Sequence, residues 1–130
     1  MKVGILSFQG SFLDHSKSVE AIGLSPVLIK NDTNINELDA LILPGGESTA
    51  IKKIDSFSQI FSKLDKLIKS GKPTLSTCAG TILLAKEVVG GETTLPNLDI
   101  EITRNAYGRQ TESFEGSVSF YDNEDIYCFI

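Results

Sequence analysis

A cysteine framed by small residues stands in the middle part of the 130-residue chain, in Ser76-Thr77-Cys78-Ala79-Gly80. Thr74-Leu75 lead into it and Ile82-Leu83-Leu84-Ala85-Lys86-Glu87 follow. The spacing predicts a short strand, a sharp turn carrying the thiol, and a helix through the residues that follow. That is the cysteine form of a nucleophile elbow. Small neighbours are needed because the elbow packs its flanking residues close together. The helix N-terminus would direct N–H groups and a positive dipole end at the sulfur, favouring the attacking thiolate. The same pattern also suits a buried structural cysteine, since a free thiol packs as a small hydrophobe. Its surroundings must decide.

Leu43-Pro44-Gly45-Gly46-Glu47-Ser48-Thr49 is a glycine-rich turn entering a helix. Such a turn offers backbone N–H groups to an anion. It lacks the Gly-Lys-Ser/Thr ending of a nucleotide P-loop. Beside a thiolate its better use is an oxyanion hole, with one N–H from Gly46 and another from Ala79. Each such donor stabilises a transition state by about 3–4 kcal/mol. Taken alone, the glycines equally suit a strand-end turn that only needs positive φ. Further along, Glu101 to Gln110 gathers polar groups around Gly108, and Arg104 and Arg109 could each grip a carboxylate. A solvated loop has the same composition.

These candidates need a scaffold. With 41% hydrophobic and 22% charged residues the chain can bury a real core. A formal charge of -5 without a basic cluster argues against nucleic acid as partner. No apolar run reaches membrane-span length, and Met1-Lys2-Val3-Gly4-Ile5 reads as a strand, not a signal peptide. Cys78 and Cys128 make no disulfide framework, so the expected compartment is the reducing cytosol, with Cys128 in the core of a late strand. One histidine, His15, and two scattered cysteines match no zinc spacing, and no metal is expected.

Periodicity supplies the elements. Lys2 to Phe8 reads as a buried strand, and Ser11 to Ala21 as a helix with Phe12, Leu13, Val19 and Ile22 on its apolar side. Pro26 to Ile29 and Leu41 to Leu43 read as strands, and Ile51 to Ser70 as one amphipathic helix through Ile54, Phe57, Ile60, Phe61, Leu64, Leu67 and Ile68. Leu98 to Thr103, Ser113 to Phe120 and Ile126 to Ile130 read as shorter strands. Alternating strands and helices predict an α/β fold, a three-layer αβα sandwich with a mainly parallel central sheet and a small, partly antiparallel extension. Pockets in such sheets form beyond the carboxyl ends of the strands. The turns at Gln9-Gly10, Pro44 to Ser48 and Thr77 to Gly80 should therefore converge.

Gln9-Gly10, Leu43 to Thr49, Thr77-Cys78-Ala79-Gly80, Leu84-Ala85-Lys86-Glu87, Arg104-Asn105-Ala106-Tyr107-Gly108-Arg109-Gln110 and Ser113-Phe114-Glu115 occur together and in order. Over essentially its whole length the chain closely resembles the glutaminase subunits of pyridoxal 5′-phosphate synthase. Those subunits belong to the class I (triad) glutamine amidotransferases. The resemblance implies a flavodoxin-like fold and hydrolysis of L-glutamine to L-glutamate and ammonia through a cysteine thioester. It also implies a cytoplasmic hetero-oligomer with a (β/α)8-barrel synthase subunit, to which the ammonia is channelled, and no cofactor. By position, Cys78 matches the nucleophile, and Gly46, Glu47 and Ser48 the glutamine-binding turn. Gly46 and Ala79 match the oxyanion hole, Arg104 a substrate-holding arginine, and Ile130 a pocket residue. His15 matches a histidine on the face that docks the synthase, and equally suits a partly exposed helix residue.

The family's catalytic His and Glu lie in a His-Pro-Glu motif near the C-terminus, which residues 1–130 do not contain. The expectation is a single amidotransferase domain, 1–130, lacking its C-terminal part, with a sheet edge and apolar surface exposed. Cys78 would then acylate poorly for want of a base. Two other readings stay open: a non-catalytic short form that only binds the synthase, and another cysteine hydrolase of the same superfamily. Ser76 stands where the family usually has glycine, and is small enough to preserve the elbow.

Overall fold

Lys2-Val3-Gly4-Ile5-Leu6 is apolar after its first residue, and a strand apolar on both faces belongs inside a covered sheet. The computed structural model places it there. It describes residues 1–106, 108, 115–120 and 123–129, with the backbone alone for 54–58, 115, 118–120 and 123–129. Strand β1 (Lys2–Leu6) lies between β2 (Ser25–Ile29) and β3 (Ala40–Leu43), and β4 (Thr74–Ser76) pairs with β3. All pairings are parallel, with Gly4 opposite Val27 and Leu41, and Ile42 opposite Leu75.

Successive strand residues face two separate cores. On one side Val3, Ile5 and Ile42 pack with Val19 of α1 (Phe12–Ala21). On the other, Leu6, Leu41 and Leu43 pack with Ile51 of α2 (Ser48–Ser58), Leu64 of α3 (Ile60–Lys69) and Leu83 of α4 (Ala79–Leu84). Each such side chain contributes about 1.5–3 kcal/mol on burial. The expected αβα sandwich is present.

Three local expectations change. The stretch from 51 to 70 is two helices, broken at Gln59, whose φ is 52. A left-handed residue costs about 1–2 kcal/mol, but the turn lets Ile60, Phe61, Leu64 and Leu67 all reach the core. On α1, Leu13 and Ile22 are exposed, at 56% and 71%. Phe12 and Val19 set the contacting face, Leu13 is rotated off it, and Ile22 lies beyond the last turn.

The third change is at α4, which stops at Leu84, so Ala85–Val89 forms strand β5. Leu95 and Asn97 donate their N–H groups to the carbonyls of Leu83 and Leu84 at 2.8 and 3.0 Å, replacing the bonds a longer helix would make. Val88 and Val89 favour the strand, which pairs in parallel with β6 (Leu98–Thr103). A short 3-10 turn, Ile35–Glu37, precedes β3; Asn34 accepts from the Asn36 N–H, and Ile35 and Leu38 are buried.

Strands β7 (Glu115–Phe120) and β8 (Asn123–Phe129) form an antiparallel pair. The extension thus contains one parallel and one antiparallel pair. Ile130 and the Cys128 side chain, read above as pocket and core, lie outside the described residues. Strand β4 ends its sheet among the described residues, and Leu75 there is 55% exposed. No helix among the described residues is long and apolar enough to cross a membrane.

Candidate active site

Strand order β2-β1-β3-β4 sends the connections after β1 and β3 to opposite faces of the sheet, which opens a crevice at their carboxyl ends. Three turns meet there. The Ser11 N–H donates to the Gly45 carbonyl at 3.2 Å, and the Glu47 N–H to Gln9 Oε1 at 2.7 Å. The Thr77 N–H donates to the Leu43 carbonyl at 3.0 Å, and the Gly45 N–H to Thr77 Oγ1 at 2.9 Å. Two glycines allow this approach. A Cβ on Gly10 would collide with the Gly45 carbonyl, and one on Gly80 with the Leu43 carbonyl.

Cys78 sits at the apex of the third turn with φ 47 and ψ -114. For a residue with a Cβ that backbone stores about 1–3 kcal/mol of strain, held by the bonds around it. The Cys78 carbonyl accepts from the Thr81 and Ile82 N–H groups at 2.9 and 3.2 Å. The hydroxyls of Ser76 and Thr81 lie 3.0 Å apart, so the serine in the usual glycine position gains a bond across the elbow. The thiol is free and exposed. A Cβ built on Gly45 would stand 3.2 Å from the Cys78 Cβ, which puts the glycine turn directly against the thiol's residue.

Backbone N–H groups are the chemistry this arrangement offers. Ala79 is the first residue of α4, where no intrahelical acceptor exists. Neither its N–H nor that of Gly46 donates to an acceptor among the described residues. The Glu47 carboxylate caps α2, accepting from the Thr49 and Ala50 N–H groups at 2.9 and 2.6 Å. Those bonds hold its pKa below the ordinary carboxylate range, and the Arg104 guanidinium lowers it further. Arg104 follows the end of β6, where its N–H donates to the Val89 carbonyl at 3.4 Å. Lys52 adds a tie from α2 to the Glu92 carbonyl at 2.5 Å.

A strained cysteine elbow packed against a Pro-Gly-Gly turn can attack an acyl carbon and hold the oxyanion that forms. Residues 5–130 match the SNO glutamine amidotransferase family. The chain belongs to that family. It is 45% identical over 121 residues to a protein named pyridoxal 5′-phosphate synthase subunit PdxT from Methanocorpusculum labreanum, covering 92% of this chain and 64% of that one. A protein of the same name from Clostridium beijerinckii is 47% identical over 116 residues, covering 88% and 61%. The chain thus spans just over three-fifths of the length of these curated relatives. Among solved structures, one titled as a glutamine amidotransferase superposes with a TM-score of 0.84 at 36% identity, covering 98% of this chain and 69% of the other. A Listeria monocytogenes protein titled a putative peptidase E, at 15% identity and TM-score 0.55, shares the fold alone.

In this chain the elements gather most of the residues singled out in the sequence. Gly46 and Glu47 lie on the turn beside Cys78, Ser48 is buried at the start of α2, Ala79 opens α4, and the charge of Arg104 acts on Glu47. Ile130, Tyr107 and Arg109-Gln110 lie outside the described residues. His15 is half-buried, and its Nε2 lies 3.2 Å from Thr77 Oγ1, so the imidazole turns toward the elbow. The sequence placed Gln9 and Thr77 in the converging turns without a role for their side chains, and it did not single out Ser11. Gln9 and Ser11 reach the glycine turn, and the Thr77 hydroxyl joins it to the elbow. The available signal was at Thr77: the elbow needs only a small residue before the cysteine, and a hydroxyl there is more than packing demands.

Proposed function

We propose that the protein is the glutaminase subunit of a pyridoxal 5′-phosphate synthase, working in the cytosol with a separate barrel-shaped synthase subunit. The carrying observation is the Cys78 elbow, with its positive φ, held against the Gly45-Gly46 turn. The Cys78 sulfur attacks the side-chain amide carbon of L-glutamine, and the Gly46 and Ala79 N–H groups receive the developing oxyanion. The carbon–nitrogen bond breaks, the nitrogen takes a proton and leaves as ammonia, and a γ-glutamyl thioester remains. Water then cleaves the thioester to L-glutamate and restores the thiol.

Glu47 and Ser48 shape the turn that receives glutamine, and Arg104 binds the substrate's carboxylate. The Glu47 carboxylate already accepts two N–H bonds, so its part is to fix the turn. His15 is not assigned as the base. Its neighbour is Thr77, and its helix carries the exposed Leu13, which suits a face that docks a partner.

The test is ammonia release from glutamine by the full natural chain assembled with its synthase partner. Cys78→Ala is expected to lower the rate by about 10³-fold or more, since no second nucleophile replaces the thiol. Ammonia release at the wild-type rate by Cys78→Ala overturns the assignment. Absence of any affinity for the synthase subunit overturns the partner and favours a stand-alone cysteine hydrolase.

A further inference from the structure

We propose that His15 is a positioning residue for amide hydrolysis, acting through Thr77 on the Gly45–Gly46 peptide; this rests on the glutaminase reading above. Gly45 is held at both its polar atoms. Its N–H donates to Thr77 Oγ1 at 2.9 Å, and its carbonyl accepts from the Ser11 N–H at 3.2 Å. In a trans peptide the carbonyl oxygen of Gly45 and the N–H of Gly46 point in opposite directions. Fixing that oxygen on Ser11 therefore fixes the Gly46 N–H on the other side.

Both restraints trace back to the first turn of α1. Ser11 precedes the helix, and the His15 N–H donates to the Ser11 carbonyl at 3.2 Å. The His15 side chain then reaches Thr77, with Nε2 3.2 Å from Oγ1. Having accepted the Gly45 N–H, the Thr77 oxygen keeps a hydroxyl proton and a lone pair. It either donates to Nε2 or accepts from Nε2–H. Either arrangement restricts rotation of the hydroxyl and keeps a lone pair aimed at Gly45. An oxyanion donor works only within a few tenths of an ångström of its required position, so loss of this restraint should appear in turnover.

The experiment compares His15→Ala, His15→Gln and Thr77→Val in the full natural chain assembled with its synthase partner, measuring kcat and KM for glutamine. His15→Ala is expected to lower kcat about fivefold to tenfold, with KM changed less than about twofold, as suits one neutral hydrogen bond acting through a neighbour. A glutamine side chain can donate or accept as imidazole does, so His15→Gln should recover kcat to within about twofold. Thr77→Val should cost more, about 10- to 100-fold, bounded by the loss of one oxyanion donor. Adding His15→Ala to Thr77→Val should then cost nothing more.

Unchanged kcat in His15→Ala, equal losses in His15→Ala and His15→Gln, or additive losses in the double variant would each overturn the proposal. If Thr77→Val does not fold, the two His15 variants decide. Hydrogen exchange at the Gly45 amide reads the contact without any substrate. Exchange should quicken about fivefold in His15→Ala and return in His15→Gln. Unaltered exchange overturns the relay. A wild-type complex that releases no ammonia overturns the glutaminase reading, while the exchange result still decides the relay.

Discussion

The crevice at the ends of β1, β3 and β4 and the outward faces of β4, β5 and β6 are built on opposite terms. In the crevice, hydrogen bonds join turns far apart in sequence: Gly45 to Thr77, Glu47 to Gln9, Ser11 to Gly45. Backbones approach until no Cβ fits between Gly80 and Leu43. On the strand faces, Leu75, Val89 and Leu98 stand in solvent at 55%, 46% and 39% exposure. The crevice is over-determined, so that a strained cysteine stays in place. The faces carry apolar area the described residues leave uncovered, and changes there have little to disturb.

The largest contrast lies between two glycines. Gly80→Ala would drive a methyl into the Leu43 carbonyl, backbone against backbone, with no flexible neighbour to yield. The expected loss is about 3 kcal/mol or more, read from the denaturation midpoint. Gly90, between β5 and β6, has φ 78 but nothing within 4 Å of where a methyl would stand, so Gly90→Ala should cost only the conformational strain, about 1–2 kcal/mol. Equal losses would mean that the crevice yields to the added methyl and that close backbone approach does not govern it, since Gly80 has no positive φ to strain.

Much of this was legible in the sequence, for reasons that differ by residue. Lys2 to Leu6 and Leu41 to Leu43 are apolar nearly throughout, and a buried parallel strand needs little more to declare itself. Convergence of the three turns followed from the alternation of strands and helices, because parallel topology puts those ends on one side. The break at Gln59 was not legible, since neither glycine nor proline marks it and only the packing of Ile60 and Phe61 requires it. The early end of α4 was hidden likewise. Its last carbonyls are satisfied by the N–H groups of Leu95 and Asn97, which arrive from beyond the Gly90-Gly91 turn. At His15 the residue was visible but its direction was not, because helical spacing gives a face and the contact with Thr77 is a matter of tertiary packing.

A smaller effect is expected at Glu47. Its carboxylate caps α2, and the Thr49 and Ala50 N–H bonds hold its pKa below the ordinary range. A group with a lowered folded pKa stabilises the fold above its unfolded pKa, and that contribution is lost as pH falls through the folded value. Glu47→Gln should therefore lower the thermal midpoint at pH 7 by less than either glycine variant does. The gap from wild type should close in acid, below the usual carboxylate range. A gap that persists unchanged in acid would show that the charge of Glu47 does not matter to the cap.

The smallest effect on stability should come from Leu75. Its side chain stands on strand β4, at the edge of the sheet among the described residues, and is 55% exposed. Leu75→Thr keeps a residue suited to a strand and removes apolar surface from water, so stability should change by less than about 0.5 kcal/mol. An exposed edge carrying an apolar side chain is a template for association with another chain. The variant should accordingly self-associate less than wild type in sedimentation velocity at the same concentration. A loss of stability above about 1 kcal/mol would place Leu75 in a packed environment and remove the contrast with the crevice. Unchanged stability with reduced association would sharpen it: just past this strand, two residues on, the Thr77 hydroxyl joins the elbow to the glycine turn.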